Sequence, residues 1–325
     1  MIRILSGLLV LQILLVALFY WPENESGKIR PALLHGTSAK AIDSIRITST
    51  DDDGAELTLE EIEGEWRLAD SNLPAARDKV DTLLYALTQR DPGFPIAQTA
   101  EAAKRFEVSA EKFQRKLTLT GAEAENVVYL GSSPAFRKVH ARVEGDDAIF
   151  VAELNTYDAD TNADQWLDRS LLGVQGVNGL QVGSQLDEQR YAIVEDTWQN
   201  ADGSAVNSED LETLLTGLSS LRVSGVLENE TELDTAESTL TVRAERDAGP
   251  VTLSILHNAD DERYYLHSDA YPQVFNTSAF DAERIIEATA KLRPGSAGDT
   301  DDKNADVSDE GVDSESGEET DGETQ

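Results

Sequence analysis

The sequence predicts an α+β fold made of two tandem copies of a mainly antiparallel β module with a covering helix, preceded by one transmembrane helix. Three observations lead to this prediction. An uncharged apolar run occupies residues 4–21, and short segments of alternating apolar and polar residues begin at Ala41. A similar succession of segments then recurs in the second half of the chain, which is typical of an internal repeat.

The apolar run from Ile4 to Trp21 contains no charged residue. A helix of this length rises about 27 Å, close to the ~30 Å thickness of bilayer hydrocarbon. Tyr20 and Trp21 carry rings that favour the headgroup level, and Pro22 ends the helix. A cleaved signal peptide needs small residues before the cut, and a lipoprotein needs a cysteine, which the chain lacks. The run is therefore predicted to be an uncleaved anchor that contacts the lipid bilayer through residues 4–21.

The residues on either side of the run predict its orientation. Residues 1–3, which include Arg3, form the cytoplasmic end, because basic residues favour that side. Lys28 and Arg30 oppose this orientation, but a long domain is translocated largely regardless of its charge. Residues 22–40 are polar and are predicted to be a tether. We therefore expect a single-pass protein of the bacterial inner membrane whose body lies in the periplasm.

The charge of the chain limits its partners. The 325 residues carry a formal net charge of −35. Twelve acidic residues and one lysine follow Pro294, so the tail at residues 294–325 holds −11, which leaves −24 for the rest. This balance argues against nucleic acid or an anionic membrane surface as a partner. The tail contains too little apolar surface to fold and is predicted to be disordered. The absence of cysteine fits an envelope protein without disulfides but does not require one.

The first module is predicted to span residues 41–172. It begins with two strands that flank a turn at Asp51–Gly54, followed by a short strand that contains Trp66. A helix then carries an apolar stripe at i, i+3, i+4 and i+7, made of Val80, Leu83, Leu84 and Leu87. A short helix at residues 100–106 is predicted to be capped by Thr99. Four strands follow, near residues 117–119, 127–130, 139–143 and 149–151, and the module closes at residues 165–172.

The second module is predicted to span residues 177–292 and to repeat this order. Trp198 corresponds to Trp66, and a second helical stripe is formed by Leu211, Leu214, Leu215 and Leu218. The later strands correspond in pairs: residues 240–242 to 117–119, 251–256 to 127–130, 264–267 to 138–141, and 274–275 to 149–150. A final helix at residues 281–292 is predicted to turn Ile285, Ile286 and Ala290 inward.

These segments resemble the repeating unit of the DUF4340 family. The resemblance rests on the Trp66-Arg67-Leu68 strand, Pro74, the residue 80–87 helix, the Leu130-Gly131 strand end and the close at residues 166–172. It covers residues 42–292 and implies a bacterial protein with one N-terminal transmembrane helix. Because genes of this family often accompany an ABC-type transporter with gliding-motility-like components, the resemblance also implies an accessory role in an envelope complex.

The sequence predicts no catalytic, cofactor-binding or metal-ligating residues. Asp158, Asp160, Asn162 and Asp164 have the alternate spacing of a calcium loop, but Ala163 replaces its glycine and Arg169 its bidentate glutamate, so an acidic loop is favoured. The four histidines have no metal or triad spacing; they are His35, His140, His257 and His267. The tryptophans at 66, 166 and 198 are interpreted as core residues rather than a ligand groove.

Two functional hypotheses remain at this point. The first is a non-enzymatic periplasmic accessory protein that binds other envelope proteins, such as ABC transporter subunits. The alternative is an envelope hydrolase or carbohydrate-acting enzyme that uses paired carboxylates in a cleft between the modules. The second hypothesis requires a pocket on which two acidic side chains converge.

Overall fold

The computed structural model describes residues 32–50, 54–122, 124–184 and 187–292. The predicted anchor at residues 4–21, the first part of the predicted tether and the acidic tail lie outside these ranges. Within them, no helix is long and apolar enough to cross a membrane. The α+β prediction is confirmed, since the described chain forms two antiparallel sheets of seven and eight strands with few helices.

The first sheet has the strand order β3-β2-β1-β4-β5-β6-β7. Its core face forms where apolar residues alternate along paired strands: Ile45 lies opposite Leu59 on one side and Leu119 on the other, and all three are fully buried. In chain order, the strands β1 to β7 are Ile42–Ser49, Glu56–Ile62, Glu65–Leu68, Arg115–Gly121, Glu125–Leu130, Val139–Val143 and Ile149–Ala152.

The second sheet has the order β10-β9-β8-β12-β13-β14-β15-β11. In chain order, the strands β8 to β15 are Val177–Ser184, Asp187–Val194, Thr197–Asn200, Val223–Val226, Ala236–Arg246, Val251–Asn258, Arg263–Ser268 and Tyr271–Thr277. Apart from β11, this order repeats that of the first sheet strand for strand, and each pair of corresponding strands predicted from the sequence occupies the same position in its sheet.

The additional strand β11 also has a counterpart in the first sheet. The backbone of Ile96 and Ala97 bonds to Ile149 of β7, just as β11 bonds to β15. The sequence pattern did not reveal β11, because it is only four residues long and contains Gly225. Both sheets therefore receive their last edge from the segment that follows the main helix.

Four α-helices accompany the sheets in the described chain: α1 (Arg77–Thr88), α2 (Ala100–Arg105), α3 (Ser208–Ser219) and α4 (Ala279–Lys291). The predicted stripe on α1 is buried in full, and Thr99 caps α2 by accepting a hydrogen bond from the Ala102 backbone N–H. On α3, Leu215 is only partly buried. Of the three residues predicted to face inward on α4, Ile285 is buried and Ile286 is partly buried against the core, but Ala290 is exposed; Ala282 and Ala288 are buried instead.

One continuous core joins both sheets. It includes α1, α3, α4 and the connecting segment (residues 155–176) that leads from the first sheet to the second. Leu33 and Leu34 also belong to it, and Ala32 is buried next to them in the chain; the three exposures are 2–3%. Sequence reasoning placed these three residues in the tether, but they pack beside α1, where the Leu34 N–H donates to the Leu87 carbonyl.

A smaller apolar cluster lies on the opposite face of the first sheet. Short α2 and the residues that follow it cover this face, and the cluster comprises Ala102, Ala103, Val108, Val127, Tyr129 and Ile149. The second sheet contributes no residue to this cluster.

Candidate functional site

The connecting segment is held together by its own polar side chains. Asn155 and Asp158 form a reciprocal capping box at the start of a 3-10 turn. Asp160 then accepts a hydrogen bond from the Asn162 N–H, and Asn162 accepts one from the Asp164 N–H, both at 2.9 Å. These short-range bonds are those expected of Asp and Asn in turns. Three of the four side chains with calcium-loop spacing therefore cap the backbone of their own segment.

Asp164 is used differently from the other three. Its Oδ1 accepts a hydrogen bond from the Val226 N–H at 3.0 Å, which links the connecting segment to edge strand β11. The carboxylate approaches Gly225 so closely that a Cβ at that position would collide with it. Gly225 is therefore required for this contact, and neither residue could be linked to the other from the sequence.

Trp166 fixes the segment against the first module. Its ring is fully buried, its Nε1–H donates to the Asp160 carbonyl at 2.8 Å, and its own carbonyl accepts from the Ala76 N–H. The Lys79 ammonium lies 4.5 Å from the ring centroid and donates to the Gln165 carbonyl. Burial lowers the pKa of Lys79, while the carboxylates of Asp160 and Asp158 partly offset this effect.

Beside Asp164, the connecting segment and the end of the second sheet enclose a cleft of about 370 Å³. This candidate cleft opens to solvent between β11, β14 and β15. Its lining residues are Asp164, Ser224, Gly225, Arg263, Tyr264, Asn276 and Thr277. The lining is mainly polar and contains one carboxylate and one guanidinium.

The guanidinium of Arg263 is held by acidic neighbours. Its Nη1 lies 3.0 Å from Glu232 Oε2, and its Nε lies 3.5 Å from an Asp261 oxygen. Asp261 and Glu232 raise the pKa of Arg263, and the Tyr265 hydroxyl also donates to Glu232 at 3.1 Å. Because the Arg263 side chain is 59% exposed, solvent screens these ion pairs and they contribute little stability.

Tyr264 supplies the aromatic wall of the cleft. Its ring stacks on His257 with centroids 4.4 Å apart, and its hydroxyl reaches Glu283 of α4 at 3.4 Å. Burial and the nearby Glu283 raise the pKa of Tyr264. At neutral pH the hydroxyl therefore stays protonated and acts as a hydrogen-bond donor.

The remaining sequence candidates are not brought together. Trp66 is buried under α1 and Trp198 is partly buried in the second module, as their interpretation as core residues requires. His140 is buried on β6, where it stacks on Phe106 at 4.2 Å and bonds to the Ser132 hydroxyl at 3.0 Å. His35 and His267 are exposed in different parts of the molecule. Within the described residues, no group of His, Cys, Asp and Glu has metal-binding geometry.

The lining of the cleft determines which chemistry it can support. Glycoside hydrolysis commonly needs two carboxyl groups, about 5–9.5 Å apart. The lining provides only Asp164, and one of its oxygens is already bonded to the backbone of β11. Hydroxyl, amide and guanidinium groups with one aromatic ring are suited to reversible binding of a polar surface or ligand.

A family model described as "Domain of unknown function (DUF4340)" matches residues 66–240. The match begins at Trp66 in β3 and ends at Leu240 in β12, so it includes most of the first sheet, the connecting segment and the first half of the second sheet. No curated protein and no solved structure matches the chain.

Proposed function

Because the chain belongs to the DUF4340 family, whose description states no activity, we propose a function from its architecture: a membrane-tethered, non-enzymatic accessory protein of the bacterial envelope. Residues 4–21 hold it in the inner membrane, and the body lies in the periplasm. The body binds other envelope proteins, of which ABC-type transporter subunits are the first to test. The candidate cleft is the observation that carries the binding role, since it is open, polar and close to the junction of the two sheets.

The body is a duplicated module, with copies at residues 41–172 and 177–292. The shared strand order supports this proposal, as does the matching origin of the last edge in both sheets. In the first copy, the last edge is a single bridge at Ala97, whereas in the second copy it is the four-residue strand β11. β11 forms one wall of the cleft. The binding site thus arises where the two copies differ.

A cleft-filling variant tests the binding role. Ser224 is exposed on β11 and lines the cleft, so Ser224→Tyr places a ring inside it. The matched control is Thr197→Tyr, because Thr197 is exposed on β10, the opposite edge strand of the same sheet. After cross-linking and purification from detergent-solubilised membranes, transporter subunits should accompany the wild type and Thr197→Tyr but not Ser224→Tyr. Repeated recovery of the protein alone would refute the accessory role, and equal recovery with Ser224→Tyr would refute the cleft as its site.

The location is tested separately. Membrane flotation should bring the full chain to the lipid fraction, and protease added to spheroplasts should digest the body. A chain that fractionates with the cytosol, or a mature form that begins after Trp21, would contradict the proposed anchor.

A further inference from the structure

The first residues that the structure describes lie at the end of the first module where α1 ends. Ala32 to Leu34 lie at the C-terminal end of α1, where Leu34 bonds to Leu87 at 2.8 Å. Ten residues, 22–31, separate them from the apolar run. Fully extended, ten residues span at most about 35 Å. If residues 4–21 lie in the bilayer, as the proposed function requires, this end of the module stays close to the membrane surface.

The connection between β5 and β6 lies at the same end. Arg90, just after α1, bonds through Nη1 to the carbonyl and the carboxylate of Glu153, both at 3.2 Å. Glu153 directly follows β7, whose last residue Ala152 pairs with Val139, the first residue of β6. Residues 133–138, which we call the Phe136 loop, immediately precede Val139. The loop therefore joins the sheet at the same end as Glu153, which Arg90 links to the C-terminal end of α1.

The Phe136 loop holds its phenylalanine in solvent. Phe136 is 90% exposed, the largest exposure among the large apolar residues of the described chain. The loop is nevertheless closed by hydrogen bonds: the Ser133 hydroxyl contacts the carbonyls of Ala135 and Lys138, and the Lys138 N–H donates to the Ala135 carbonyl. The ring thus stands on a turn closed by hydrogen bonds. Its exposure is unfavourable in free energy, because the apolar surface of the ring stays in contact with water.

The charge of this loop is opposite to that of the protein. Arg137 and Lys138 follow Phe136 and are exposed. From Asn126 to Val143 the sequence contains no acidic residue, although the whole chain contains 62. A basic loop tipped with an aromatic ring is suited to the lipid headgroup region, where phosphates attract the cations and the interface accepts the ring.

Two more exposed aromatic residues lie at this end. Tyr85 is 48% exposed on α1, one turn before Arg90, whose guanidinium lies 5.8 Å from its ring centroid. Tyr157 is 75% exposed, in the 3-10 turn that follows Glu153. Aromatic side chains with a polar tip are enriched at membrane interfaces.

We propose that this end of the first module faces the bilayer and that Phe136, flanked by Arg137 and Lys138, inserts into the headgroup region. This inference rests on the proposed membrane anchor. The net charge of −24 outside the tail opposes contact with an anionic surface, but its repulsion is screened within about 8 Å at physiological ionic strength. The tether raises the effective concentration of the loop at the membrane, so a weak contact is sufficient.

Site-specific labelling tests the contact in the full-length chain. The chain contains no cysteine, so one introduced cysteine can carry an environment-sensitive fluorophore. Ala135→Cys reports from the Phe136 loop. Ala124→Cys is the matched control, because Ala124 is also exposed but lies at the other end of β5, about 20 Å away. Both proteins are reconstituted in vesicles with lipids that carry a nitroxide quencher at the headgroup.

We expect headgroup quenching at position 135 to exceed that at position 124 several-fold. Phe136→Ser in the Ala135→Cys protein should reduce the quenching to near the control level. Replacing both Arg137 and Lys138 by glutamine should reduce it when the vesicles contain anionic lipid and change it little when they are zwitterionic.

Equal quenching at both positions, in protein that floats with the vesicles, would overturn the inference and leave the anchor intact. A blue-shifted emission at position 135 without lipid quenching would also overturn it, because the loop would then be covered by protein, such as the acidic tail or a second copy. Failure of the full chain to float would instead refute the anchor and, with it, the membrane contact.

Discussion

The face of the first sheet away from the shared core carries a small apolar cluster, whereas Tyr265, the buried aromatic residue on the corresponding face of the second sheet, belongs to neither apolar cluster of the described chain. On the far face of the first sheet, Ala102 and Ala103 of α2 complete a small apolar cluster. In the second sheet, the same place in the chain holds a 3-10 turn, Glu230–Leu233, and Glu232 contacts Arg263 and Tyr265 there through polar atoms. One topology thus supports an apolar covering in one half and, in the other, a covering turn whose contacts to the sheet are polar.

This difference indicates where the two halves have separate roles. Residues that cover the first sheet serve stability, because their side chains leave water. At the corresponding part of the second sheet, Arg263 stays largely exposed and lines the candidate cleft, whereas Tyr265 is fully buried. The difference also predicts that equivalent substitutions have unequal effects in the two halves.

The largest contrast is between Trp166 of the connecting segment and Trp198 of the second sheet. Trp166 is fully buried beside α1, so Trp166→Ala should lower the free energy of unfolding by about 3–5 kcal/mol through the loss of contacts and the cavity it leaves. Trp198 is partly buried, and Trp198→Ala should cost roughly half as much. Urea denaturation followed by circular dichroism measures both. Trp166→Phe keeps most of the apolar contact and should cost less than Trp166→Ala. Equal losses at both positions would show that the connecting segment is not the more tightly packed region.

Close backbone packing provides the second contrast. Gly131 follows β5, and a Cβ there would collide with the carbonyls of Phe106 and Glu107, so Gly131→Ala should cost about 1–3 kcal/mol. Asn258 ends the corresponding strand β13 and reaches Glu232 with its side-chain amide at 3.2 Å, so Asn258→Ala should cost about 1 kcal/mol. The midpoint temperatures of thermal unfolding of the two variants and the wild type measure both losses.

Gly217→Ala is the control for this pair, because its Cβ would meet side-chain atoms rather than backbone: Ile285 Cγ1 at 3.2 Å and Arg284 Nε at 3.7 Å. If Gly217→Ala lowers the stability as much as Gly131→Ala is expected to, or if Gly131→Ala leaves the stability unchanged, the proposed difference between backbone and side-chain neighbours is wrong.

The helix caps provide a smaller contrast. Thr99→Ala removes the cap of α2 and should cost about 1 kcal/mol, with faster amide hydrogen exchange in α2. Asn229→Ala removes the cap of the corresponding 3-10 turn, which carries no apolar cluster, and should cost less. Thr99→Ser retains the hydroxyl and should behave like the wild type. If both alanine variants lose equal stability, the apolar covering of the first sheet does not depend on α2.

The smallest expected effect is on pH dependence. Burial, and secondarily the nearby Arg105, lower the pKa of His140, although the hydrogen bond with Ser132 opposes this. The folded state therefore favours neutral His140. Its contribution to stability is fully present above the unfolded pKa of about 6.5 and is lost as the pH falls through the lowered folded pKa. His140→Gln should flatten the fall in unfolding free energy between pH 7 and pH 5, as measured by urea denaturation at each pH. An unchanged slope in His140→Gln would contradict this assignment.

Much of the fold follows from local patterns in the sequence. Alternation predicted the strands, since a half-buried strand needs one apolar face. Leucine spacing predicted α1 and α3, and the residue preceding α2 predicted its cap. Sequence patterns predict less where packing is not periodic. Leu33 and Leu34 are too few to show a helix or strand periodicity, so the sequence assigns them to the tether, yet they are buried beside α1.

The candidate cleft was not predictable at all. Asp164 and Gly225 are 61 positions apart, and their contact depends on how the connecting segment folds over an edge strand. The residues around Asp164 have the alternate spacing of a calcium loop, although the missing glycine and glutamate favour an acidic loop. In the structure, these side chains cap the backbone of their own segment and link it to β11. Carboxylates that cap turns and carboxylates that bind ions look alike in a sequence.

The sequence by itself determined the family, the α+β class, the order of the elements and the internal similarity of the two halves, because periodicity and caps are local properties of a chain. Only the tertiary structure decided which edge strand the connecting segment covers, where a polar cleft remains open and which loop shares an end with Leu34. Those features arise from contacts between residues far apart in the chain, and such contacts form only when the two sheets pack around one core.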